Sequence, residues 1–154
     1  MRLMNLSMII VCILLTIMSG VSVAQPSFSQ LGRYCDKMMS HRLDLTDLAG
    51  YSKGLDQEAA FNLIGVAKAY TSRLDHLRDL VHIYSLISSK DDKQRIRAVI
   101  TDRMEFIVKE IDISLKEVNL YLSRAESPAI ISIGNQIKSD LREIQKMIAS
   151  RFSR

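Results

Sequence analysis

Apolar residues recur every three or four positions along almost the whole chain, and runs alternating apolar with polar are absent, so the pattern predicts helices and no strands. Four segments carry that rhythm. The first runs from about 27 to 49, with Phe28, Leu31, Cys35, Met38 and Met39 on its inner side and Leu45 and Leu48 continuing less regularly, and Gly50-Tyr-Ser-Lys-Gly54 breaks it. The second starts from an Asp56 cap and reaches about Ser88, on a stripe that includes Leu63, Val66, Tyr70, Leu74, Leu77 and Tyr84. Ser88-Ser-Lys-Asp-Asp92 is a short turn, which makes helices two and three antiparallel neighbours in a long hairpin. The third runs from about Asp91 to Arg124, and its acid-to-base pairs four apart include Asp112 with Lys116. Ser127-Pro128 supplies a cap and a first-turn proline for the fourth, whose seam is Ile130, Gly134, Ile137, Leu141, Ile144 and Ile148.

At 1.5 Å per residue, helices two and three are each roughly 50 Å long, about twice the diameter of a compact globule of this size. The expected fold is therefore all-α: an elongated antiparallel bundle of four helices, two of them long and forming a hairpin. Helix three is also apolar on two sides. Ile96, Ile100, Ile107, Ile111, Val118 and Leu122 fall within one arc of about 80°, and Val99, Phe106, Ile113 and Leu120 fall on a second arc at intervals of seven. One reading makes helix three central, its two arcs packed on two neighbours. The other makes the second arc a strip for self-association or for a protein partner.

The amino terminus changes the arithmetic. Arg2, an apolar run from Met8 to Met18 and the small-x-small end Ser22-Val23-Ala24 have the layout of a secretory signal, which predicts a leader over residues 1–24 and cleavage after Ala24. The alternative is a retained membrane anchor, for which the run is short of the roughly 20 residues that a span needs. Gln25 occupies the place where a lipoprotein carries cysteine. Residues 25–154 then form a single helical-bundle domain with 20 basic and 17 acidic residues, a surplus too small to indicate nucleic acid. That mature chain retains Cys35 as its one cysteine and has no Asn-x-Ser/Thr acceptor, which favours a bacterial exported protein, periplasmic or secreted. Cys35 reads as a buried small hydrophobe, with a reactive or intermolecular thiol as the alternative.

Candidate chemistry is sparse. Asp79-Leu-Val-His82 puts a carboxylate and an imidazole on one helix face at a chelating spacing, but no Glu-x-x-His motif exists to complete a bundle metal site. The polar residues around them read equally as a solvated face, and His41 lies in a polar stretch with no nameable partner. Arg103 interrupts the isoleucine seam, where it could clamp a small anion between helices or simply flank a helix contact. Nucleophile elbows, phosphate loops and haem-attachment motifs are missing, so no catalytic residue, metal or cofactor is expected. Lys138, Arg142 and Lys146, with Arg151 and Arg154 beyond, give the fourth helix a basic face suited to an anionic membrane surface or an acidic protein, or simply to a helix carboxyl end. The functional expectation is a non-enzymatic interaction, adaptor or chaperone-like module. The alternatives are a small-ligand or metal carrier using Asp79, His82 or Arg103, and a small helical enzyme.

Overall fold

A computed structural model of the chain describes residues 27–150. The expected leader and its cleavage point after Ala24, Pro26, and the cations Arg151 and Arg154 lie outside the described residues. Those described form four helices, α1 (Phe28–Tyr51), α2 (Gly54–Leu86), α3 (Lys90–Leu122) and α4 (Pro128–Ala149), with no strand among them. No helix among them is long and apolar enough to cross a membrane.

Local chemistry accounts for most boundaries. Ser27 caps α1 in a capping box: its hydroxyl accepts the Gln30 N–H at 3.2 Å, and the Gln30 side chain accepts the Ser27 N–H at 3.2 Å. Gly54 breaks α1 from α2 with φ +58°, a left-handed conformation that costs other residues a Cβ clash. Ser89 caps α3 by accepting from the Asp92 N–H.

Two expected caps are corrected. Asp56 lies inside α2, which begins at Gly54, and the Ser127 hydroxyl makes no capping bond. Instead one Asp56 carboxylate oxygen accepts the N–H groups of Glu126 at 2.7 Å and Ser127 at 3.0 Å, tying the start of α4 to the first turn of α2. The side chain three residues into α4 is Ile130, which cannot return a hydrogen bond, so a carboxylate from another helix does so.

The helices meet around one core. α1 packs on α2, α2 on α3, α3 on α4 and α4 on α1, and the α1–α2 interface is the most extensive. Helical geometry puts Gln57, Ala60, Ala67, Thr71 and Arg78 on one face of α2. Three of them touch α1: Gln57 donates to the Ala49 carbonyl, the Cys35 thiol lies 3.9 Å from the Thr71 carbonyl, and Arg78 lies over the Phe28 ring. Alanines between these contacts let the two backbones approach closely. Between α2 and α3, Tyr70 bonds Ser114 and Arg73 bonds Glu110, contacts consistent with an antiparallel pair.

All six expected α4 seam residues are buried, and so is the α2 stripe from Leu63 to Leu77. A fully buried Leu or Ile contributes roughly 1.5–3 kcal/mol relative to an exposed one. Phe28 departs from its expected inner position: it is half-exposed, with its ring 5.8 Å from that of His82. Burial also fades toward the α2–α3 turn, where Val81, Tyr84 and Ile96 are only partly covered. Asp112, expected to pair with Lys116, instead accepts from the Gln145 amide at 2.7 Å.

Two of the glycines inside helices, Gly65 and Gly134, differ in surroundings. A Cβ built on Gly65 meets no atom within 4 Å, whereas on Gly134 it meets Leu122 Cδ2 at 2.5 Å and Leu63 Cδ1 at 3.2 Å. Gly65→Ala is therefore expected to raise stability by about 0.5–1 kcal/mol through helix propensity. Gly134→Val should lower it by about 1–3 kcal/mol through overpacking. Urea midpoints of the two variants measure both effects.

Candidate interaction surface

The buried arc of α3 consists of Ile100, Met104, Ile107, Ile111, Ser114 and Val118. With partly buried Val108 and Leu115 it reaches both neighbours, α2 and α4. The second apolar arc lies outside this buried face. Val99 is 45% exposed, Phe106 43%, Ile113 52% and Leu120 48%. Helix three does have two packed neighbours, but the strip is not part of the core buried between them, which corrects the reading that assigned it there.

Phe106 has a structured surround. Arg73 of α2 places its guanidinium 5.0 Å from the Tyr70 ring centre and 5.7 Å from that of Phe106, and bonds Glu110 at 3.0 Å. Arg103 approaches the Phe106 ring at 5.8 Å. Half-buried Arg103 thus stands at the edge of the strip. An open groove of about 420 Å³ continues the surface onto α2, where Phe61, Gly65 and Ala69 face Ile113.

The other expected positions do not gather into a site. Asp79 and His82 are both exposed on α2, and no hydrogen bond or ion pair joins either to Arg103 among the described residues. No group of three or more His, Cys, Asp or Glu side chains forms there that could hold a metal. On α4, Lys138 donates to the Asn119 side chain at 2.7 Å, while Arg142 and Lys146 are exposed.

Sequence reasoning missed a polar cluster between α1 and α4. His41 is buried and its Nε2 lies 2.8 Å from a carboxylate oxygen of buried Asp140, whose other oxygen takes Lys37 at 2.5 Å. Tyr34 donates to Glu143 at 3.1 Å. His41 and Asp140 lie on the apolar faces of their helices, a buried-polar signal that the sequence carried, but their pairing spans 99 residues. The Asp140 hydrogen bond raises the Lys37 pKa, against the opposing effect of burial. Burial, then the Glu143 carboxylate, raises that of the Tyr34 phenol.

Cys35 is buried on the α1 face that meets α2. Desolvation, with the Asp75 carboxylate adding to it, pushes its thiol up to about 12. At neutral pH this side chain is an unreactive hydrophobe.

No protein-family model matches the chain, and no curated protein and no solved structure matches it.

Asp140→Ala leaves buried His41 without its acceptor and should cost about 1–3 kcal/mol in denaturant unfolding at neutral pH. Cys35, Tyr34, Tyr70 and Lys37 all have raised pKa values, so the folded state holds these protons more tightly than the unfolded state. Their contribution is intact below the ordinary thiol value of 9.0 and is lost as pH climbs from there toward about 12. Urea midpoints should accordingly fall over that range, and Cys35→Ala should remove the earliest part of the decline.

Proposed function

We propose that this is a bacterial exported protein, periplasmic or secreted after removal of residues 1–24, built as an elongated antiparallel bundle whose long helices α2 and α3 form a hairpin. It acts without catalysis, as an adaptor or chaperone-like module that binds protein through the α3 strip. The observation that carries this reading is the exposure of Val99, Phe106, Ile113 and Leu120, each between 43% and 52%, at a constant interval of seven. Single exposed apolar residues are ordinary on a protein surface, whereas a periodic row on one helix is the form in which a helical face presents itself to a partner. The row extends over about 30 Å of helix. Arg142 and Lys146 offer a weaker contact for anionic membrane surfaces or acidic protein, and Lys138 is less free for it because Asn119 holds it.

Crosslinking in the native envelope tests the proposal. The wild-type chain should yield a protein adduct that Phe106→Lys abolishes while circular dichroism and melting temperature stay unchanged. Recovery of neither a protein partner nor a self-adduct defeats the proposal. An unfolded Phe106→Lys product also defeats it, by making Phe106 part of the core.

A further inference from the structure

We infer that the strip binds a second copy of this chain, with the two α3 helices parallel and in register about a two-fold axis along their length. The inference rests on the reading of the strip as a contact surface and adds the charge pattern beside it. At 100° per residue, two rows flank the strip symmetrically, each about 50° from its centre: Asp102, Lys109 and Lys116 on one side, and Arg103, Glu110 and Glu117 on the other. Every residue of the first row is opposite in charge to its successor in the second.

A two-fold axis along the helices brings the first row of one copy against the second row of the other. Asp102 then meets Arg103 of the second copy, Lys109 meets Glu110, and Lys116 meets Glu117. Symmetry repeats each pair, and no like charges face each other. Val99, Phe106, Ile113 and Leu120 stack on their own counterparts between the rows.

The opposite orientation, with the axis perpendicular to the helices, pairs Asp102 with Lys116 and Arg103 with Glu117 but sets Lys109 against Lys109 and Glu110 against Glu110. The charge pattern therefore selects the parallel arrangement. Among the described residues, Asp102, Lys116 and Glu117 are exposed and make no ion pair within their own chain. Glu110 holds Arg73 through one oxygen, and its other oxygen can accept a second cation. Exposed pairs of this kind contribute little affinity individually, so the apolar strip drives association while the charges set orientation and register.

Sedimentation equilibrium of the purified protein tests the inference. The wild type should sediment as a dimer, and Ile113→Lys as a folded monomer. Glu117→Lys sets two lysines against each other in each copy and should weaken the dimer by about tenfold. The exchange Lys116→Glu with Glu117→Lys restores every parallel pair and should recover wild-type affinity. In the opposed orientation the same exchange puts Glu against Asp102 and Lys against Arg103, so a double variant weaker than the single overturns the inference. A wild type that stays monomeric at high concentration overturns it as well, yet leaves a different protein partner to the envelope crosslinking. The three substituted residues, Ile113, Lys116 and Glu117, are exposed, and circular dichroism verifies folding of each variant.

Discussion

Leu31, Leu63, Ile107 and Ile137, one from the inner arc of each helix, are all fully buried, and a helix can turn only one such arc of roughly 100° toward a shared core. α4 spends its apolar residues largely on that arc, whereas α2 also leaves Leu55, Phe61, Ile83 and Leu86 exposed, at no constant spacing. α3 carries more than the arc can hold. Its Ile100, Met104, Ile107, Ile111 and Val118 fill the inward face, and the row from Val99 to Leu120 is left outside because α2 and α4 already occupy the flanks of that face.

The polar groups inside the bundle fix how its helices sit against one another. An apolar interface tolerates sliding by a turn, but a buried carboxylate between an imidazole and an ammonium does not, because any displacement strands a desolvated polar group. Asp140 imposes that condition on α1 and α4, and the Tyr70 hydroxyl on Ser114 imposes a milder one on α2 and α3. Asp56 works at the opposite end, where it gathers the loop before α4 onto α2. These bonds tie the four helices to one another, and the exposed strip stands on the outside of α3.

Phe106 connects scaffold and surface. Two guanidinium groups approach its ring: that of Arg73, which is paired with Glu110 and lies over Tyr70, and that of Arg103 at the rim. Such cation–π contacts restrain an aromatic ring before any partner arrives, which lowers the entropy cost of docking. Cys35 contributes nothing to this surface; its buried thiol fills space between α1 and α2.

How much was legible in advance follows from the range of the interactions involved. Periodicity of three and four residues is set within a turn or two, so the sequence alone determined that the chain is helical, approximately where its four helices lie, and the complete seam of α4 from Ile130 to Ile148. The same local rule displayed two apolar arcs on α3 without ranking them, because which arc faces inward depends on where α2 and α4 stand. Asp56 looked like a cap for its own helix and serves the start of another, 70 residues away. His41 had no visible partner because Asp140 comes 99 residues later. Only the tertiary structure brings such residues together, since hydrogen bonds and side-chain packing act over a few ångströms in space and follow no fixed spacing along the chain.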